Sequence, residues 1–134
     1  MQIYESNYLS LFFHKKENRL DVIWSADTEK MTDEEFRNEL LQYADLAEKY
    51  NPDKSLADTS NFLMTVSPET QHWIYEKVHP RSLAAGIKKF AYLVSKDYFS
   101  QVSIEQTMEE GNTSEMFSTK FFDNKETALE WLNK

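Results

Sequence analysis

Hydrophobic positions along the chain change period several times, and those changes divide it into strands and helices. Tyr8 to Phe13 and Leu20 to Trp24 are two short apolar runs separated by the polar His14 to Arg19. In the second run Leu20, Val22 and Trp24 fall on one face by period-two alternation, so the pair is expected to form an antiparallel hairpin. The loop lacks an Asn-Gly type of turn signal. Thr32 followed by Glu35 has the spacing of a capping box, and Phe36, Leu40, Tyr43, Ala44, Ala47 and Tyr50 then recur at helical spacing up to Asn51-Pro52.

Leu56-Ala57 reads as the end of a buried strand and Asp58-Thr59-Ser60-Asn61 as the polar lip where it leaves the sheet. Ser67-Pro68-Glu69 opens a helix that His79-Pro80 should end or kink. Lys88 to Ser95 has the composition of a buried strand. Asp97 is placed to cap a helix carrying Tyr98, Phe99, Val102 and Met108, with Gly111-Asn112 as its stop. Met116 to Phe122 reads as a strand, and the last helix is expected over Asp123 to Lys134, with Asp123 and Glu126 imitating a capping box. The order β-β-α-β-α-β-α-β-α predicts a single α/β domain: a mixed sheet of four to five strands flanked by about four helices.

Composition changes this picture mainly by exclusion. The 134 residues suit one domain, and Phe 9, Tyr 7 and Trp 3 promise an aromatic core. A formal net charge of −8 disfavours nucleic-acid and anionic-membrane surfaces, which draw on clustered Lys and Arg. With no Cys, disulfides and thiolate metal sites are impossible; two Gly leave no phosphate-cradling loop. No segment reaches the ~20 apolar residues of a membrane span, no signal-peptide pattern opens the chain, and a cytoplasmic location is expected.

Candidate chemistry concentrates where strand ends give way to helix starts, because ligands of open α/β sheets sit beyond the carboxyl ends of their strands. The candidate interaction or ligand-binding residues are Asp58, Ser60, Asn61, Ser67, His72 and Trp73. Each has a simpler reading beside it. Asp58, Ser60 and Asn61 can bond their own turn amides, Ser67 can be an N-cap, and Trp73 can be core. A charged partner for Asp58 would come from Arg81 or Lys88. Ser60, His72 and Asp58 contain the residue types of a hydrolase triad but lack a nucleophile-elbow motif, so no catalytic residue is assigned. His14, His72 and His79 show no metal-ligand spacing, and neither a metal nor a cofactor is expected.

The element order resembles the STAS domains, the family of bacterial anti-anti-sigma factors, and within it the STAS-like or SEC14-like bacterial proteins. Leu56-Ala57-Asp58-Thr59 and Lys89-Phe90-Ala91-Tyr92-Leu93 carry the resemblance as central strands. The ending from Phe121 to Leu132, with Phe-Phe-Asp followed by Glu-x-x-x-x-Trp-Leu, is its most distinctive part. The resemblance implies a non-enzymatic regulatory or binding module with a cytoplasmic protein partner, a second copy of the chain being another candidate. In that family the phosphorylated serine lies in an Asp-Ser-Ser-Gly type of turn. Here Met64 to Glu69 has neither that Asp nor that Gly, so no phosphoacceptor is carried over and Ser67 remains a hydroxyl near the same place. The alternative is a SEC14-like carrier of a small apolar or lipid-like ligand, with Trp24, Trp73, Phe62, Phe90 and Tyr92 around a cavity. A small hydrolase-like enzyme is the third reading.

Overall fold

The computed structural model describes residues 1–109 and 117–134. Its centre is a six-stranded mixed sheet in sequential order: β1 (Gln2–Glu5), β2 (Leu9–His14), β3 (Arg19–Trp24), β4 (Lys54–Asp58), β5 (Lys89–Leu93) and β6 (Ser118–Phe122). The first three strands are antiparallel, and β3 to β6 run parallel. Between and after them come a 3-10 turn (Ala26–Lys30), α1 (Asp33–Tyr50), α2 (Pro68–Lys77), α3 (His79–Ala85), α4 (Tyr98–Glu109) and α5 (Lys125–Leu132).

The expectation of four to five strands fell short by the amino-terminal strand. MQIYE carries no clean alternation; β1 pairs antiparallel with β2, with a register shift between Gln2 and Tyr4, and polar bonds tie this end of the chain to α1. Tyr4 donates its hydroxyl to the buried Glu39 carboxylate, and the Ser6 hydroxyl donates to the other oxygen of the same group. The β2–β3 hairpin forms as expected, and Asn18 supplies the left-handed turn residue, at φ 53°. The helix opened by Ser67-Pro68 ends at Lys77, just before His79-Pro80 as expected, and Pro80 belongs to a separate helix, α3. It sits in the first turn of α3, where its missing N–H is no loss, and α3 stops at Gly86 with φ 116°. The last helix is capped by Asn124, whose Oδ1 accepts from Thr127 N at 3.1 Å, and not by Asp123. The expected stop at Gly111-Asn112 and the strand start at Met116 lie outside the described residues.

Alternation along the strands sends two sets of side chains to opposite faces. Leu20, Val22, Trp24, Ala57 and Phe90 join Phe36, Tyr43 and Ala47 of α1, Ile74 of α2, Ala85 of α3 and Ile104 of α4 in the main core. Leu56, Ala91 and Leu93 project the other way, where α5 covers them with Ala128 and Leu132. That second face also holds a buried ion pair on the hairpin, in which Arg19 Nε donates to Asp21 at 2.6 Å, and the partly exposed His14 lies 3.0 Å from the same carboxylate.

The capping box of α1 is complete. Glu35 N donates to Thr32 Oγ1 at 3.1 Å and Thr32 N donates to Glu35 Oε1 at 2.9 Å. Tyr8 donates its hydroxyl to the second Glu35 oxygen at 2.8 Å, tying the cap to the sheet. Thr32→Ala is therefore expected to lower unfolding free energy by about 1 kcal/mol, read as a shift of the urea midpoint at unchanged slope.

Candidate functional site

The candidate surface is the edge of the sheet where the parallel strands end. Asp58 closes β4, and the chain then runs from Thr59 to Val66 without regular structure, so its backbone groups need partners from elsewhere. Short hydroxyl side chains supply many of them. Leu63 N donates to Thr28 Oγ1 at 2.9 Å, Ser95 Oγ donates to Phe62 O at 2.7 Å, and Val66 N donates to Ser103 Oγ at 3.0 Å. Thr59 bonds Leu93 O through both its amide and its hydroxyl, and Lys96 N donates to Ser60 O at 3.2 Å. The lip is thus tied to the segment that follows β5. Phe62 anchors it from below, 2% exposed, with its ring 5.3 Å from Trp24 and 5.7 Å from Phe36.

The six candidate residues do not converge on one point. Asp58 Oδ1 accepts from Ser60 N at 3.1 Å and from Ser60 Oγ at 2.6 Å, the local turn that the simpler reading described. Asn61 is exposed beside it. Ser67 is exposed and caps α2, accepting from Thr70 N at 3.2 Å. His72 pairs one turn along with Glu76 at 2.9 Å, on the outer side of α2. Trp73 is half-buried under the Arg37 guanidinium, 5.1 Å from its ring centroid. Arg37 in turn bonds Asp33 and the Thr70 hydroxyl, making Trp73 part of the α1–α2 contact. Arg81, expected as a partner for Asp58, is engaged by Glu48 and Asp45 of α1; the Glu48 carboxyl is held below its usual range first by that Arg81 hydrogen bond.

Beside the lip lies a feature absent from the candidate residues. Tyr98 and Phe99 open α4 and are 73% and 69% exposed, their rings in an edge contact at 5.5 Å. The buried side of α4 is Ser100, Ser103, Ile104, Thr107 and Met108, so hydroxyls point inward while two aromatics point to solvent. The inward hydroxyls are satisfied within the helix: Ser103 Oγ donates to Ser100 O and Thr107 Oγ1 to Ser103 O, each at 2.8 Å. Asp97 caps the helix through Ser100 N and Ser100 Oγ, bonds that hold its carboxyl below the ordinary range. The available sequence signal was the i, i+3, i+4, i+7, i+8 stripe of Ser100, Ser103, Ile104, Thr107 and Met108, which leaves Tyr98 and Phe99 off that face.

Between the sheet and the helices of the main core is a cavity of about 90 Å³. Trp24, Phe62, Phe90 and Tyr92 line it, as the carrier alternative expected, but Trp73 does not. Its polar margin includes Tyr43, Ser82 and His79. Among the described residues, no group of three or more His, Asp or Glu is placed to hold a metal ion, and no helix is long and apolar enough to cross a membrane. No family model, curated protein or solved structure matches the chain.

His79, 4% exposed and edge-on to Phe117 at 5.6 Å, has its pKa pushed down to about 4 by burial. A histidine that resists protonation when folded but accepts a proton near pH 6.5 when unfolded stabilises the fold fully above that pH. The contribution is lost as pH falls from about 6.5 to about 4, a difference of about 3 kcal/mol. Denaturant titrations at pH 7, 6, 5 and 4 should show this decline beginning above the carboxylate range, and His79→Phe should remove the part between pH 6.5 and 5.

Proposed function

We propose that the protein is a non-enzymatic module that binds a protein partner through the carboxyl edge of its sheet, with Tyr98 and Phe99 as the anchors and the Asp58–Asn61 lip beside them. The observation that carries this reading is the distribution of side chains on α4: two large aromatics stand in water at its start while Ser100, Ser103 and Thr107 share its buried side with Ile104 and Met108. Aromatic side chains are enriched in protein interfaces because they desolvate a large area while losing few rotamers. The hydrogen bonds that fasten the lip to the segment after β5 support the reading too, since a pre-ordered surface loses less entropy on association.

Charge indicates the kind of partner. Around this edge Asp27, Glu29, Asp58, Asp97 and Asp123 outnumber Lys30, Lys96 and Lys125, in a chain of net charge −8. The partner that fits is a protein with a shallow apolar pocket rimmed by Lys or Arg. A regulatory role of the STAS kind remains a proposal resting on element order and on the closing Phe-Phe-Asp segment. In this reading Ser67 and Trp73 are structural, and the binding surface shifts from the start of α2 to the start of α4.

The test is affinity capture from the native lysate with the unaltered protein, Tyr98→Ser/Phe99→Ser, and His72→Ala as a surface control. The reading expects one protein to be retained by the unaltered chain and the control and lost with the double variant. Identical captures by all three would overturn it, as would self-association of the unaltered chain that the double variant abolishes with no other protein bound.

A further inference from the structure

We infer that the cavity under the helices is a binding site for a small uncharged molecule, mainly apolar, carrying one hydroxyl or carbonyl that bonds Ser82. The inference does not rest on the partner surface at the sheet edge. Ser82 lies in α3, is wholly buried, lines the cavity, and its Oγ has no hydrogen-bond partner. A buried hydroxyl left without a partner is costly, and nearly all such groups in folded proteins find one. Its neighbour is the Tyr43 hydroxyl, near enough to feel Ser82 but not in bonding geometry with it. Tyr43 makes only a long 3.4 Å bond, to Ser55 Oγ, and the Ser55 hydroxyl itself donates to Leu20 O at 2.8 Å. Two hydroxyls with bonding capacity to spare therefore stand at one margin of a mainly apolar space, where the Thr59 and Thr107 hydroxyls donate to backbone carbonyls.

The lining decides the ligand's charge. None of the residues around the cavity is Asp, Glu, Lys or Arg. Burial holds His79 neutral at pH 7 and pushes the Tyr43 hydroxyl up to about 12, so neither supplies a charge. A carboxylate or ammonium entering here would lose its hydration without a counter-ion. Size narrows the class further. Drug- and lipid-sized ligands occupy pockets of about 300–1,000 Å³, whereas an apolar cavity of about 150 Å³ admits benzene. At about 90 Å³ this space is smaller still, so a single small ring is the upper limit and a long acyl chain does not fit.

Phenol is a suitable neutral probe, with benzene lacking the hydroxyl, benzoate adding charge and decanoate adding length. In a titration followed by amide NMR, phenol should shift the resonances of Ala57, Ser82, Tyr92 and Ile104 saturably, with a dissociation constant of about 1 mM. Benzoate and decanoate should leave those resonances unmoved. Ser82→Ala should weaken phenol about fivefold and leave benzene unchanged, the effect of one hydrogen bond. Tyr98→Ser/Phe99→Ser should bind phenol normally, so failure at the sheet edge and failure of the cavity are separable. Absence of saturable shifts with both phenol and benzene would overturn the inference, as would equal binding of benzoate or an equal loss of benzene and phenol in Ser82→Ala.

Discussion

Replacing Phe62 by alanine is expected to lower the free energy of unfolding by about 3–5 kcal/mol, the largest stability loss of any single substitution considered for this chain. Phe62 is irregular in backbone yet fully enclosed, and its ring completes a trio with Trp24 and Phe36. Removing it deletes the transferred apolar area and enlarges a cavity that the ring already borders, so little collapse is available to offset the loss. A domain of this size has only about 5–15 kcal/mol to lose, and a large fraction would go with one side chain. Urea denaturation of Phe62→Ala measures it directly. Phe99→Ala, removing a ring of equal size from an exposed position, should stay within about 0.5 kcal/mol of the unaltered protein. A loss below about 1 kcal/mol for Phe62→Ala would mean that the lip is not anchored through this ring.

Tyr98→Ser/Phe99→Ser is expected to weaken partner binding by about 100- to 1,000-fold while leaving stability nearly unchanged. Anchoring aromatics in interfaces commonly contribute 2 kcal/mol or more each when truncated, and two of them in edge contact would be buried together. Their exposure in the unbound protein makes the separation of effects clean. Neither ring belongs to a core cluster, and the helix they open is capped by Asp97 and held through Ile104 and Met108. A loss of affinity accompanied by a comparable loss of stability would point to an altered α4 and not to the two rings.

Strong local signals read most of the fold correctly. The capping box at Thr32, the alternation of Leu20, Val22 and Trp24, and the Ser67-Pro68 helix start each act within a few residues, and each appears as expected. The first strand was not legible because its four residues show no alternation and pair with β2 through a register shift, helped by the distant bonds of Tyr4 and Ser6 to Glu39. The separate α3 was hidden by Pro80, which reads as a terminator but is equally at home in a first turn.

The place of the lip in the fold was legible in the sequence, and the partners of its side chains were not. The lip at Asp58–Asn61 lies at the carboxyl edge as sheet geometry requires, yet Asp58 and Ser60 bond each other, while Ser67, His72 and Trp73 serve α2 and its contact with α1. Hydrophobicity itself misdirected attention at α4. Tyr98 and Phe99 look like core residues and Ser100, Ser103 and Thr107 like surface, and only the helical phase of the stripe from Ser100 to Met108 signals otherwise. Hydroxyls that read as solvating groups in the sequence are instead fasteners: Thr28, Ser95 and Ser103 bond the backbone of the 59–66 segment, so one role explains several buried Ser and Thr.

The most direct test of the central claim is calorimetric titration of the purified captured protein into the unaltered chain and into Tyr98→Ser/Phe99→Ser. The account predicts saturable binding to the first, weakened by at least about 100-fold in the second. Equal affinity for both chains would contradict it.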